Sequence, residues 1–457
     1  MTPMEPAGAA ESFLEAYPDT RHVELLVCDM NGMLRGKRAP VADLVKIGRN
    51  GVNHCAASAV LDSKGATFDT IAIGGRDGDP DVKARIVPGT LAPVPWAEWP
   101  TAQALLELSE LDGEPFRHDP RHVLRRALEP LSGLGLRPVI ATELEFYLIE
   151  HDGETFRPRM PRIPGSDLPQ DGLQYATIDD LVEVDGFLGD LDNWCRTQNI
   201  PAGAALSEFA PGQFEINLTH VDDPLRACEH ALLLKRAVKA AARANGLAAT
   251  FMAKPFQDIP GSGLHVHMSL LDERSENVFS GHSDDGPVSG TLRHAVGGLQ
   301  AMAAESMAVF APNANSYRRY TRGAFAPGTA NWGINHRGVS LRVPLSTPRN
   351  TRIEHRIACA DANPYLVVAA LLAAVHHGIA NRLNPGPVVR EREEIEEQVT
   401  LPVRWPHALD VFEAGSLLPN YFGKDYCALF LACRREEEER FHAEISNRDY
   451  EWYLRNV

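Results

Sequence analysis

The sequence predicts an α+β protein built as two domains. Three observations carry that prediction. The chain has 457 residues, more than one hydrophobic core normally organises. From about residue 21 to 117 it is rich in short strand-like runs punctuated by turns. Beyond residue 118, strand patterns alternate with long helical ones rich in alanine and leucine.

Residues 1–20 are an N-terminal segment. His22-Val23-Glu24-Leu25-Leu26-Val27-Cys28 is the first strand, and Asp29-Met30-Asn31-Gly32 is the turn that ends it. A second strand region precedes Asp62-Ser63-Lys64-Gly65, and residues 74–81 form a loop by composition. Asp119-Pro120 opens a helix, with aspartate as N-cap and proline in the first helical position. The domain boundary therefore falls near residue 118, dividing 21–118 from 119–457. A helix runs from about Pro224 to Asn245, with Asp223 as cap and Gly246 as a left-handed stop. Another follows Pro364. The last long helix carries Arg434-Arg435-Glu436-Glu437-Glu438-Glu439-Arg440, a charge run expected to be a solvated face.

Bulk properties narrow the function. Hydrophobic content of 44% and charged content of 23% are ordinary for a globular protein. A formal charge of −16 argues against nucleic acid and anionic membrane surfaces as partners. The seven cysteines are scattered and form no C-x-x-C pair, as expected of reduced thiols in a cytoplasmic protein. No apolar run reaches membrane-spanning length, and Met1 to Phe13 lacks the basic start and apolar centre of a signal peptide.

The chemistry is carried by five glutamates and a histidine. Glu143 and Glu145 are two apart in Thr142-Glu143-Leu144-Glu145-Phe146, so on a strand both point one way while Leu144 and Phe146 point into the core. Glu208 and Glu215 flank Pro211-Gly212, which fits a tight turn. If Pro211 and Gly212 are the whole loop, Glu208 stands directly opposite Glu215. His265, His267 and Ser269 share a strand face behind Gly261-Ser262-Gly263, where backbone can approach a ligand. Glu354 lies between Arg352 and Arg356 on another. Alone, each pattern is usually a solvated face or a hydrogen-bonded pair. Together they place like charges where only cations make them tolerable. Carboxylates with one imidazole suit Mg²⁺ or Mn²⁺ better than Zn²⁺ or copper, and six such ligands hold two ions with waters to spare.

A basic stretch follows, through Arg318, Arg319, Arg322, Arg337, Arg342, Arg349, Arg352 and Arg356. The planar guanidinium fork matches phosphate and carboxylate. Arginines beside a carboxylate–metal cluster fit phosphoryl transfer. A P-loop motif and a dinucleotide-binding G-x-G-x-x-G after a strand are both missing.

These segments, in this order, resemble the glutamine synthetase family. The motifs are Glu-x-Glu-Phe at 143–146, Glu-x-x-Pro-Gly-Gln-x-Glu at 208–215, and Thr250-Phe251-Met252-Ala253-Lys254-Pro255 leading to Gly261-Ser262-Gly263-Leu264-His265-Val266-His267. Asn315-Ser316-Tyr317-Arg318-Arg319 and Arg352-x-Glu354-x-Arg356 before Asn363-Pro364-Tyr365-Leu366 complete the set. The resemblance implies an N-terminal β-grasp domain, a catalytic α/β domain with a curved antiparallel sheet, and a dodecamer of two hexameric rings. It implies ATP as co-substrate and two or three divalent ions. By motif, Glu145, Glu208 and Glu215 correspond to ligands of one metal, and Glu143, His265 and Glu354 to ligands of a second. His267, Ser269, Arg349 and Arg352 correspond to ATP contacts. Arg319, Arg356 and the backbone at Gly261 correspond to glutamate contacts. Arg337, with Arg342 nearby, corresponds to the residue that steadies the transferred phosphoryl. Asp62 corresponds to a group reaching the amine site from the next subunit.

The departures from the family pattern bear on the acceptor. Phe325 stands where glutamine synthetases carry a glutamate that serves ammonium, and a phenyl ring accepts no proton. Pro260 replaces an asparagine before Gly261. The pattern, with Trp405-Pro406-His407-Ala408-Leu409 and Tyr421-Phe422-Gly423, is similar to the γ-glutamylamine ligase branch, which includes γ-glutamylpolyamine synthetases. It implies a ligase joining the γ-carboxylate of L-glutamate to an organic primary amine through γ-glutamyl phosphate, with Phe325 and Tyr175 near the amine. The alternatives are a glutamine synthetase using ammonium and a non-catalytic relative with a structural or regulatory role. Glu354→Ala is expected to abolish turnover with little loss of fold.

Overall fold

The computed structural model describes residues 5–68, 73, 77–151, 153, 155–170, 175–283, 286–320, 326–391 and 401–457. Phe325 and Arg322 lie outside the described residues, as does part of the loop expected at 74–81.

Alternation in β1 (His22–Cys28) buries Val23, Leu25 and Val27. Asp29 then closes the expected turn, its Oδ1 accepting from the backbone N–H groups of Asn31 and Met33, both at 2.9 Å. Gly32 takes the left-handed conformation there, with φ +76°. The chain returns antiparallel as β2 (Leu34–Pro40). With β3 (Val52–Cys55), β4 (Asp81–Ile86), β5 (Ala92–Pro93) and β6 (Thr101–Ser109) these strands make a six-stranded sheet in the order β2-β1-β6-β4-β3, with β5 pairing β6. Its central pair, β1 and β6, is parallel. Helices α1 (Pro6–Ala16) and α2 (Leu44–Asn50) belong to the same part of the chain.

The second sheet is nine-stranded and mostly antiparallel, ordered β13-β14-β15-β12-β7-β10-β9, with β8 and β11 also pairing β7. Its strands are β7 (Arg137–His151), β8 (Phe156–Pro158), β9 (Ala202–Ser207), β10 (Gln213–Leu218), β11 (Ala248–Thr250), β12 (Leu264–Leu271), β13 (Trp332–Ile334), β14 (Leu341–Val343) and β15 (Ile353–His355). The 15-residue β7 reaches four partners along its length, the geometry of a sheet that curls. The architecture is α+β, as the sequence predicts.

The helices are α3 (Pro120–Gly133), α4 (Ile178–Val182), α5 (Asp185–Thr197), α6 (Pro224–Ala244), α7 (Gly290–Phe310), α8 (Pro364–Ala380), α9 (Trp405–Ala414), α10 (Pro419–Phe422), α11 (Lys424–Ala443) and α12 (Asn447–Tyr453). The caps read from sequence form. Asp119 accepts from Arg121 N, and Asp223 from Leu225 N and Arg226 N. The structure adds a third cap, Asn363, which accepts from Tyr365 N ahead of α8. Alanine- and leucine-rich α6 and α8 bury most of their lengths against the second sheet and its neighbours. Among the described residues no helix is long and apolar enough to cross a membrane.

The charge run of α11 departs from expectation. Arg434 is only 1% exposed. Its guanidinium pairs with Glu437 one turn on and donates to Asn31 Oδ1 in the β1–β2 turn. Ser63 donates to Glu437, and Arg440 reaches Asp62 at 3.2 Å. One face of the run is therefore a docking surface for the 29–32 turn and the 62–68 loop, while Glu438 and Glu439 sit on another. A buried charge is tolerable only when paired, and Glu437 supplies the pairing. Arg434→Ala is expected to cost about 3–5 kcal/mol, because it strands Glu437 and Asn31 in the interior. Urea unfolding with an unchanged m-value checks this; a loss below about 1 kcal/mol would return the run to the solvated class.

Candidate active site

Four cross-strand pairs build the site. Glu215 on β10 faces Glu145 on β7. Glu143, two residues back on the same face of β7, faces His265 on β12. His267, two residues on, faces Glu354 on β15, which in turn faces Arg342 on β14. Period-two alternation puts every one of these side chains on one side of the curled sheet. Leu144, Phe146, Leu264, Val266 and Ile353 anchor the other side in the core.

The side chains are closely coupled. Glu143 bridges both histidines, Oε2 to His265 Nδ1 at 3.1 Å and Oε1 to His267 Nε2 at 2.8 Å. Arg352 Nε donates to His267 Nδ1 at 3.1 Å, so Nε2 carries the proton that faces Glu143. Arg342 donates to Glu354 Oε2 at 2.8 Å, and Arg356 to its other oxygen. Asn217, which the sequence reading missed, donates to Glu215 Oε1 at 3.0 Å and stands opposite Glu143. Its signal was available, since it lies two residues beyond Glu215 on the same strand face.

The 208–215 hairpin forms in a different register from the one expected. Ala210–Gln213 is the anticipated turn, with Gln213 N on Ala210 O at 3.0 Å and Gly212 at φ +71°. But Glu208 N pairs with Gln213 O, Ser207 faces Phe214, and Glu215 faces Leu206 rather than Glu208. A turn with φ > 0 only at its second central residue does not match the twist that two-residue hairpins require. The loop therefore lengthens to Phe209–Gly212. Glu208 still converges on the site from the end of β9. A Cβ at Gly212 would lie 2.7 Å from Arg159 O and 2.9 Å from Leu148 O. Gly212→Ala is thus expected to destabilise the chain by about 1–3 kcal/mol, read by thermal unfolding.

Among the described residues, three overlapping groups have ligand atoms within 4.8 Å of one another: Glu145, Glu208 and Glu215; Glu143, Glu215 and His265; and Glu143, His267 and Glu354. The first is the set expected for one metal. In the third, His267 stands with Glu143 and Glu354, where His265 was expected. A divalent cation fits the first group best, because Glu145 and Glu215 face one another with Glu208 beside them and no lysine or arginine ion pair on any of the three among the described residues.

The glycines before β12 serve the chain itself. A Cβ on Gly261 would meet Ala253 O at 2.3 Å, and one on Gly263 would meet the Arg319 guanidinium at 2.5 Å. Gly263 N donates to Glu145 Oε2 at 2.6 Å. The Gly261 carbonyl accepts from Gln213 at 3.1 Å, and that of Pro260 accepts from Tyr147 Oη at 2.6 Å. Arg319 is buried and donates to the Ile357 and Ala358 carbonyls.

Two basins flank the row and meet at Glu143 and Asn217. The larger, about 860 Å³, is bordered by His267, Ser269, Arg349 and Arg352, the four residues expected to contact ATP. The smaller, about 460 Å³, is bordered by Gly261, Arg319, Arg337, Arg342 and Arg356 together with the carboxylates. Tyr175 lies on its rim, stacked on Phe209. Asp62 borders neither basin. Its Oδ1 accepts from Lys64 N and Ala66 N, holding its own loop, and its other oxygen faces Arg440.

The electrostatics divide the carboxylates. Burial and the neighbouring Glu145 push Glu208 up to about 7. Burial, with Glu143, Glu145 and Glu208, pushes Glu215 up to about 9. For Glu143 burial acts upward, but hydrogen bonds from His265 and His267 overcome it and hold the carboxyl far below the ordinary range. Burial also opposes ionisation of Glu354, yet Arg356, His265 and His267 bring it down to about 2. Where a folded-state value is raised, the folded chain binds more protons than the unfolded one, so stability falls as pH rises. The metal-free protein is therefore expected to lose stability from the ordinary carboxyl value of 4.5 up to about 9, through Glu208 and Glu215. Excess Mg²⁺ should flatten that slope. Calorimetric Tm against pH, with and without the ion, measures it.

The chain is similar to known proteins over nearly its whole length. The family model described as glutamine synthetase, catalytic domain, matches residues 117–453. The gamma-glutamylputrescine synthetase PuuA of Escherichia coli (strain K12) is 39% identical over 448 residues, covering 97% of this chain and 94% of that protein. A glutamate–isopropylamine ligase of a Pseudomonas species is 32% identical, covering 89% and 90%. A solved GmaS/ADP complex superposes with a TM-score of 0.84 at 26% identity, covering 99% of this chain and 100% of that one.

Proposed function

Because the chain belongs to the glutamine synthetase family, we propose that it is an ATP-dependent ligase joining the γ-carboxylate of L-glutamate to an organic primary amine. The observation that carries this reading is the row from Glu215 to Glu354, with a basin on each side of it. ATP occupies the larger basin, against Arg349, Arg352 and Ser269. Glutamate and the amine occupy the smaller, with Arg319, Arg356 and the Gly261 backbone holding glutamate. The γ-carboxylate attacks the terminal phosphoryl group, ADP leaves, and a neutral amine then displaces phosphate from γ-glutamyl phosphate. Arg337 and Arg342 meet the negative charge that builds on the transferred group. Two or three Mg²⁺ or Mn²⁺ ions, held by Glu143, Glu145, Glu208, Glu215, His265, His267 and Glu354, supply neutralisation of phosphate charge when bound. Burial of the carboxylate row keeps water from the activated acyl group.

The reading extends to organisation. The 21–118 and 119–457 domains pack through α11, and the cytoplasmic protein assembles as a dodecamer of two hexameric rings, in which the loop that Asp62 holds in shape borders a neighbouring subunit. Light scattering on the purified chain tests the assembly.

The deciding experiment follows ADP release with glutamate, Mg²⁺ and a panel of amines. The expected result is release that depends on an organic amine and exceeds that with ammonium. Ammonium turned over as efficiently as any organic amine would make the protein a glutamine synthetase. No ATP binding by calorimetry would make it a non-catalytic relative.

A further inference from the structure

We propose that Asn217 is a catalytic residue of the ligation: its side-chain amide donates a hydrogen bond to the phosphoryl group in transit from ATP to the γ-carboxylate. This rests on the ligase reading above and adds a residue to the same site.

Among the described residues, the two basins share only Glu143 and Asn217. A group that moves from one basin to the other passes these two side chains. Glu143 is a carboxylate, which when ionised only accepts hydrogen bonds. Both its oxygens already meet histidine nitrogens, at 3.1 Å and 2.8 Å. Asn217 stands opposite it on β10 and brings a neutral donor to the threshold. One N–H of its amide goes to Glu215 Oε1 at 3.0 Å, and the other has no partner among the described residues.

The sheet is locally shaped around this side chain. Ile216 faces Ala205 and Leu218 faces Ala202, so Gly203 and Ala204 of β9 stand together against Asn217. An extra residue of this kind bends its strand and re-aims side chains, and it recurs beside active sites. Gly203 and Ala204 both border the larger basin, and neither sends a polar group into it. A Cβ on Gly203 would lie 3.2 Å from Asn217 O, so the two backbones approach closely at the bulge.

The arginines stand to either side of the threshold. Arg349 and Arg352 border the larger basin alone, and Arg337, Arg342 and Arg356 the smaller alone. Arg342 and Arg356 are also committed to Glu354. In the transfer, a γ-carboxylate oxygen bonds to the terminal phosphorus as the bond from phosphorus to the bridging oxygen breaks. The electron pair leaves on ADP, and no proton moves. Charge is spread over the three other oxygens on phosphorus. An amide already fixed by Glu215 gives one of them a donor at no cost in reorganisation. Being neutral, it does so without forming an ion pair with Glu143 or Glu215.

The test follows ADP release by the full-length protein with glutamate, ATP, Mg²⁺ and the amine of the panel that wild type uses best. Asn217→Ala and Asn217→Asp are both expected to lower kcat by about 10²-fold, the usual effect of losing one fixed donor to a developing anion. Asn217→Asp keeps the shape and loses the N–H. In Asn217→Ala, the KM values for glutamate and the amine should not move. Nor should ADP affinity by calorimetry, Tm, or the Mg²⁺ concentration that gives half the maximal rate. An Asn217→Ala variant with undiminished kcat would overturn the proposal. So would recovery of its kcat at high Mg²⁺, which would make Asn217 a support for Glu215 in the ion site. An Asn217→Asp variant as fast as wild type would overturn it too, since an added carboxylate can hold an ion but cannot donate. Joint loss of ADP affinity and Tm in both variants would make the residue structural and end the proposal. A wild type that releases no ADP with any amine would remove the ligase reading as well, whereas ligation by wild type beside an undiminished Asn217→Ala removes this proposal alone.

Discussion

Replacing Glu215 by glutamine is expected to abolish ligation and, in the metal-free protein, to raise stability. Most substitutions at a residue only 7% exposed would do the reverse. Glu215 differs because it directly faces Glu145 across β7 and β10, with Glu143 and Glu208 close by. Like charges opposed on a buried strand face work against folding. Its carboxyl is pushed up to about 9 by burial and those neighbours, so ionising it at pH 8 opposes the folded state. Glutamine keeps the shape and retains an oxygen for Asn217, without the charge. The ion site, however, loses a carboxylate shared by two of its groups. Charge stabilisation by a bound metal is worth several kcal/mol, or on the order of 10³-fold in rate. Calorimetry in EDTA at pH 8 should place Tm of the variant a few degrees above the parent. Added Mn²⁺ should stabilise the parent and not the variant. A variant less stable in EDTA would show that Glu215 serves the fold rather than an ion.

The contrast between Glu215 and its neighbours shows what the sequence reveals and what it withholds. Alternation along a strand is local, so the shared face of Glu143 and Glu145, and of His265 and His267, was legible from spacing alone. So were the caps at Asp119 and Asp223, where a short side chain bonds the N–H groups next to it. Partners across the sheet were not legible. Which residue faces Glu145 depends on how β10 slides along β7, and nothing near Glu145 in the chain fixes that. The hairpin illustrates the limit: the Pro211-Gly212 turn was visible, but the twist mismatch that lengthens its loop was not weighed. That mismatch moved Glu208 away from Glu215 and freed Phe209 to reach Tyr175. Arg434 is a second case. A run of charges on a helix is solvated unless something packs on it, and here the packing element begins some four hundred residues earlier, at Asn31. Asp62 is a third, because two backbone N–H groups of its own loop claim one oxygen, a use its motif does not announce.

Glu354→Ala and Glu354→Gln are expected to be equally inactive and unequally stable. Sequence spacing alone led to the expectation that alanine would spare the fold; the geometry reverses that. Glu354 is 1% exposed and accepts from Arg342 at 2.8 Å and from Arg356. Burial opposes its ionisation, but Arg356 and the two histidines bring it down to about 2. A lowered value means stability that is fully present above the ordinary carboxyl range and lost as pH falls towards 2. Alanine leaves two largely buried guanidiniums without a counter-charge, at a cost of about 3–5 kcal/mol. Glutamine keeps one acceptor oxygen at the same place and should lose roughly half as much. Either change removes a carboxylate from the group formed with Glu143 and His267, and turnover should fall on the order of 10³-fold. Urea unfolding at pH 7, beside the ADP-release assay, separates the two effects. Undiminished activity in Glu354→Gln would take Glu354 out of the ion site and leave it as the anchor of two arginines. The opposed signs at Glu215 and Glu354 then become the signature of the site: one carboxylate that strains the empty protein and one that secures it, both needed once cations and nucleotide arrive.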